Sequence, residues 1–206
     1  YTYSNELDFN NATFTLGLRK KLRPGVTLFT NLGTAWRPPN VAELYSWGYH
    51  NSRIQFGLWR YDFNPEIVTP PNSVYDETLR SVPTEKGFKL ISGVEIEKSK
   101  LKSELVIYAN KINNYIFLRP YGVTTNIAGT VSYWLFEQTD ALFLGSDWDI
   151  RYRHNDLLTS ELKLSYVYAK STVKDQALLE IPPLNVDYTL TYEKNWWTFG
   201  LNLNYT

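Results

Sequence analysis

Cysteine is absent from the 206 residues, histidine occurs twice, and 21 lysines and arginines balance 21 aspartates and glutamates. Without cysteine there is no disulfide framework, no thiolate metal site and no thiol nucleophile, an absence compatible with any compartment. A formal net charge of zero gives no electrostatic case for nucleic acid or an anionic surface. No run of about eighteen apolar residues occurs, which excludes a transmembrane helix. A negative mean hydropathy ordinarily points to a soluble protein, but a membrane β-barrel escapes that test because only alternate residues face lipid. The chain opens at Tyr1 with neither a signal peptide nor an initiating methionine. It closes at Thr206, directly after the alternating run Trp197, Phe199, Leu201, Leu203, Tyr205. A piece of a larger protein is therefore expected.

What the chain has in quantity is alternation. Over residues 87–118, Phe88, Leu90, Val94 and Ile96 alternate with Lys89, Gly93, Glu95 and Glu97. After a tight turn at 98–100, Leu101, Leu105, Ile107 and Ala109 oppose Lys102, Glu104, Tyr108 and Asn110. Period two is the mark of a strand with one apolar and one polar face. These runs reach about ten residues, the length a tilted membrane-spanning strand needs, against about five or six in ordinary strands. The same pattern recurs over 12–22, 26–36, 133–154, 158–169 and 186–193 and in the closing run, predicting eight antiparallel strands. Residues 1–9 are too sparse in pattern to assign.

The connections sort by length. Turns at 23–25, 98–100, 154–157 and 194–195 are short, and loops at 37–85, 119–130 and 170–182 are long. The first of these loops holds six of the ten prolines, and loops beyond about fifteen residues are uncommon unless they carry function. Short turns on one rim and long loops on the other characterise an outer-membrane barrel, whereas a Greek-key sandwich has no reason to sort its connections. The parity requires 133–154 to be one strand; a break at 138–140 would invert every later assignment. Aromatics make up 16% of the chain. Tyr152, Tyr166, Tyr168, Tyr188, Tyr192 and Tyr205 stand at the ends of apolar faces, as an interfacial girdle requires, although tyrosine is also a good strand former.

Trp36-Arg37-Pro38-Pro39-Asn40-Val41-Ala42-Glu43-Leu44-Tyr45, followed by Gly48-Tyr49-His50, resembles the F-R-A-P-x-x-x-E-L box and downstream G-x-H of TonB-dependent outer-membrane receptors. Glu85 through Glu95, the run from Tyr108 to Ile116, Ala141-Leu142-Phe143-Leu144-Gly145 and Ile181-Pro182-Pro183 resemble further boxes in family order, so the likeness spans nearly the whole chain. Pro38 stands where the family has alanine and Asp147 where it has glutamate, and the acidic residue often found after the histidine is missing from 52–56.

The resemblance implies that residues 1–206 are part of one antiparallel transmembrane barrel domain, about eight of the 22 strands of a plugged barrel. The plug, the first strands and the last strands would lie elsewhere in the protein. It further implies residence in the bacterial outer membrane among its lipids, and active uptake of a scarce small-molecule chelate, iron–siderophore first and haem, zinc, cobalamin or saccharide as alternatives. A TonB-type complex acting on the plug would supply the energy. Neither a cofactor nor covalent chemistry is expected.

Candidate ligand contacts follow from residue type. Trp47, Tyr49, Trp59 and Tyr61, with Arg53 and Arg60 interleaved, form an aromatic and cationic apex, which Arg119 and Tyr121 from a later loop could join. Such a surface suits an anionic or aromatic-bearing chelate through stacking and cation–π contact; packing of the loop on itself accounts for the same residues. His50 is a possible ligand for haem iron or zinc, but no second ligand stands near it in sequence, so no metal site is assigned. Arg37 and Glu43 are read as ion-pairing residues at the loop base, and His154 as structural. Lys89, Glu95, Lys102, Glu104, Glu161 and Lys163 alternate in sign on the polar faces and are expected to pair there. An enzyme is disfavoured, since there is no G-x-S-x-G and the two histidines fall on opposite rims. A structural or adhesive β-sandwich is the remaining rival, and it would need the apolar rows to pack on a second sheet.

Overall fold

A computed structural model describes residues 8–50, 53–60, 81–126 and 129–206. Among them are β1 (Thr15–Arg23), β2 (Val26–Arg37), α1 (Val41–Tyr45), β3 (Trp47–His50), β4 (Arg53–Phe56), β5 (Glu85–Glu97), β6 (Leu101–Asn126), β7 (Gly129–Arg153), β8 (Leu158–Ser171), β9 (Gln176–Ala177), β10 (Asn185–Lys194) and β11 (Trp197–Tyr205). The eight long strands follow one another in chain order through a single sheet, β1-β2-β5-β6-β7-β8-β10-β11. All eight strands expected from the alternation are present, and β7 runs unbroken through 138–140.

One expectation is corrected. Residues 119–126 continue β6 rather than opening a long loop, and only 127–128 separate it from β7. Pro120 and Gly122 suggested a loop, but Tyr121, Val123, Thr124 and Thr125 favour strand. Gly122 is also needed within the strand, because a Cβ there would lie 2.8 Å from the Tyr133 hydroxyl. The long connection read at 170–182 runs between β8 and β10 over 172–184, and within it β9 folds back to pair with the end of β8.

The chain forms two compact units. The first consists of Thr13–Ala35, Gly87–Lys111 and Ala141–Thr206. Its register puts like with like. Trp148 lies opposite Leu164, Ile150 opposite Leu162, Leu162 opposite Tyr188 and Leu190 opposite Leu201, while Asp147 faces Ser165 and Arg151 faces Glu161. The apolar rows are bare: Leu16, Leu18, Ile107, Leu201 and Leu203 are each more than half exposed, and no second sheet covers them among the described residues. That excludes a sandwich and is what a lipid-facing wall requires.

Hydroxyls placed in those rows find side-chain partners within them. The Thr30 and Ser92 hydroxyls lie 2.9 Å apart, Trp148 Nε1 donates to Ser103 Oγ at 3.0 Å, and Ser160 Oγ meets His154 Nε2 at 2.6 Å and the Tyr188 hydroxyl at 3.1 Å. His154 is thus a structural group in its turn. Tyr188, expected in a girdle, instead lies inside the apolar band, as does Tyr205 opposite Val186. The remaining four tyrosines divide into two levels. Tyr192, Tyr152, Trp197 and Phe199 lie near the short turns, and Tyr166 and Tyr168 near the other end of β8. Leu158, opposite Tyr192, and Tyr168 are ten residues apart on β8. That is about 33 Å along the strand, or about 25 Å of height at the tilt of a barrel strand, which matches the hydrocarbon band between two girdles.

On the polar face Arg19 forms a two-pronged pair with Glu95, Lys102 meets Glu97 at 2.7 Å, and Arg151 meets Glu161 at 3.2 Å. Gly93 lies beneath Phe29: a Cβ there would stand 2.4 Å from the ring and 2.9 Å from the Leu105 carbonyl. Close ring-over-glycine packing of this kind pins register.

Candidate functional site

The second unit, Tyr1–Ala12, Trp36–Lys86 and Ile112–Asp140, carries the residues expected to contact ligand. It is built upward from Arg37. Asn40 and Glu43 stand three apart and cap α1 reciprocally: Asn40 Oδ1 accepts from Glu43 N at 2.9 Å, and Asn40 N donates to Glu43 Oε2 at 2.7 Å. Such a capping box satisfies two otherwise orphaned donors. Glu43 also accepts from Arg37 Nη1 at 2.9 Å, while Nε and Nη2 of the same guanidinium reach Glu85 at 2.9 and 2.6 Å. Glu85 takes a further bond from the Ile116 amide at 2.8 Å. Hydrogen bonding to Glu85, and after it to Glu43, pushes the Arg37 pKa above its already high ordinary value, against the opposing effect of burial. The Arg37 guanidinium is therefore a fixed positive charge at the base of the fold-back.

From this base the chain turns back on itself. Amides of Gly57, Leu58 and Trp59 donate to the carbonyls of Ser46, Glu43 and Leu44 at 2.7, 2.7 and 3.0 Å. Gly57 sits so close to Leu44 that a Cβ would fall 2.4 Å from its carbonyl. The fold-back buries Leu44, Leu58 and Trp59 with Ile116. Trp59 meets the Tyr45 ring edge-on at 5.3 Å, and Arg60 Nε donates to the Tyr45 carbonyl at 3.1 Å.

Between α1 and this core, β3 and β4 form a hairpin whose second strand pairs in parallel with β7, Ile54 opposite Tyr133 and Phe56 opposite Leu135. Phe56, Tyr133 and Leu135 are buried together, with Tyr121 packed against them. The Arg53 guanidinium lies 4.6 Å above the Trp134 ring. Arg119 donates to Glu137 at 2.6 Å and stands 5.3 Å from the Tyr121 ring.

Trp47 and Tyr49 alternate on β3 and are both more than half exposed, with His50 exposed beside them opposite Arg53. Trp59 is interior, Tyr121 and Arg119 are engaged with β7, and Tyr61 lies outside the described residues. Trp134 and Glu137 were not singled out in the sequence, and Glu85 only as the start of a motif, without a role at the loop base. Glu137 falls in the buried row Tyr133, Leu135, Glu137, Thr139, and a carboxylate in phase with aromatics was the available signal. No group of three or more His, Cys, Asp or Glu residues that could hold a metal occurs among the described residues. Chemically, the arrangement offers exposed indole and phenol rings beside a guanidinium stacked on tryptophan, a surface for aromatic and anionic groups.

No protein-family model and no curated protein matches the chain. Solved structures do. The copper transporter OprC is similar at 24% identity over 90% of this chain and 25% of its own length, with a TM-score of 0.67. A ferric enterobactin receptor, PfeA, from Pseudomonas aeruginosa aligns over 94% of this chain and 27% of its own, at 16% identity and a TM-score of 0.63. The alcaligin outer membrane receptor FauA from Bordetella pertussis aligns over 93% and 28%, at 12% identity and 0.55. The chain thus spans about a quarter of the length of the structures it resembles. At these identities the likeness establishes the fold, an antiparallel segment of the barrel wall of TonB-dependent outer-membrane receptors.

Proposed function

We propose that this segment of a TonB-dependent receptor barrel belongs to an outer-membrane transporter for a scarce metal chelate, of which an iron–siderophore complex is the leading candidate, with the fold-back of residues 37–60 forming part of the ligand-binding surface. The observation that supports this most is the exposure of Trp47 and Tyr49 on a hairpin that is itself tied to β7 and to a buried core. Large aromatic rings left in water on a rigid support favour ligand capture, because little ordering entropy is lost on binding. In the rest of the protein, a plug and a TonB-type complex would convert capture into uptake.

The test uses the full-length protein. Deletion of residues 40–80 should abolish chelate binding while the barrel still inserts. Trp47→Ala with Tyr49→Ala should weaken binding about tenfold or more, a loss of about 1.4 kcal/mol, with unchanged expression in the membrane. Full binding by both variants would move the site to other loops or to the plug. Induction by iron, zinc or carbon starvation separates iron chelates, including haem, from zinc and saccharide as cargo.

A further inference from the structure

The four short turns of the wall unit lie side by side. Glu97 N donates to the Gly25 carbonyl, Arg153 N to the Lys100 carbonyl and Glu193 N to the Leu157 carbonyl, each at 2.8 Å, so each turn is tied to the next. These 206 residues are neutral in sum, yet this rim is not. Arg23, Lys98, Lys100, Arg153 and Lys194 occupy the turns or the strand positions next to them, all exposed. Of the nearby carboxylates Glu97 is engaged by Lys102, which leaves Asp156 and Glu193. Lys194 follows Tyr192 in the phase of the apolar row of β10, so its stem leaves the sheet on the apolar side, and Lys98 stands just past the end of β5. Lys100 Nζ is 3.5 Å from the His154 carbonyl.

Just inside this row lies the lower aromatic level of Tyr152, Trp197 and Phe199, with Tyr152 edge-on to His154 at 5.0 Å and Trp197 and Phe199 stacked at 5.9 Å. Trp196, in the last turn itself, stacks on Trp197 at 4.5 Å. Trp196 is 81% exposed. Aromatic rings mark the boundary between hydrocarbon and headgroup, so cations one step beyond them stand at the depth of lipid phosphates.

We propose that the short-turn rim is a binding collar for the headgroups of anionic phospholipids in the leaflet it meets. The inference rests on the reading of the chain as membrane wall. Its occupant is argued from charge complementarity: a zwitterionic headgroup offers this row no net attraction, whereas a phosphatidylglycerol-type headgroup supplies one negative charge for each cation. Basic side chains at a membrane surface favour anionic lipid by about fivefold each. Lysine stems can lie along the aromatic belt while their ammonium groups reach the phosphates.

The experiment reconstitutes the full-length protein in nanodiscs of phosphatidylethanolamine and phosphatidylglycerol and quantifies the lipid retained on detergent extraction. Phosphatidylglycerol should be enriched over phosphatidylethanolamine. Lys98→Gln with Lys100→Gln and Lys194→Gln should reduce that enrichment about fivefold for each charge removed. Raising ionic strength should collapse it in the unaltered protein, a measurement that does not depend on the variant folding. Equal retention of both lipids by inserted protein, or an unchanged enrichment in the triple variant, would overturn the collar and leave the wall intact. Displacement of the lipid by inorganic phosphate at constant ionic strength would overturn it in favour of a free-anion site. Protein that enters no bilayer would overturn the wall itself.

Discussion

At the scale of single residues, the base of the fold-back shows what one carboxylate can hold. Glu85 is nearly buried, binds two nitrogens of Arg37 and accepts the Ile116 amide. Glu85→Ala leaves that amide without its acceptor and Arg37 with Glu43 alone. Orphaning a buried group costs about 1–3 kcal/mol, so the variant should show faster proteolysis within residues 37–60 and an earlier denaturant transition. Glu85→Gln, which retains an acceptor, should fall between. Arg37 and Glu43 were legible as loop-base residues because they sit together in one motif. Glu85 was not legible as the partner of Arg37, nor Glu137 as that of Arg119, for ion pairs across 48 and 18 residues of chain leave no local trace.

At the scale of elements, period-two alternation placed the strands, and punctuating residues misled. The segment 119–126 extends β6 despite Pro120 and Gly122, because strand pairing and the Tyr133 ring override local turn preference. The β8–β9 fold-back is held by the Leu178 amide on the Ala169 carbonyl at 3.0 Å and by Lys170 on Asp175 at 2.6 Å. Bonding to Lys170 lowers the Asp175 pKa and raises that of Lys170. A lowered carboxylate pKa adds stability that is complete above the unfolded value, near 4, and is lost as pH falls through the folded value. Protection of the Leu178 amide from hydrogen exchange should therefore decline below about pH 4, and Asp175→Asn should remove that dependence. The pair is exposed, so the effect should stay within this hairpin and leave global melting unchanged.

At the scale of the whole molecule, the two faces of the wall unit should differ in tolerance. Leu162 lies near the middle of the apolar band, between Ile150 and Tyr188, while Thr159 lies on the polar face opposite Arg153 and Thr191. Leu162→Arg should lower the stability of the full-length barrel in lipid vesicles by about 2–4 kcal/mol, the cost of a cation near the bilayer midplane, read from urea titration. Thr159→Arg should cost little. Equal effects at both positions would contradict the assignment of faces.

The number of long strands, their order along the chain, the apolar face of each and the positions of the four short turns were all written in the residue pattern, because each follows from the alternation of side chains across a pleated backbone. The sequence also carried Arg37 with Glu43 in one recognisable motif. It took the folded chain to show that Trp59 is interior while Trp47 is exposed, that β4 lies parallel to β7, that Tyr188 satisfies Ser160 rather than joining a girdle, and that the basic turns form one continuous row. Those features depend on contacts between residues far apart in the chain. Periodicity records which way a side chain points, but not what it meets.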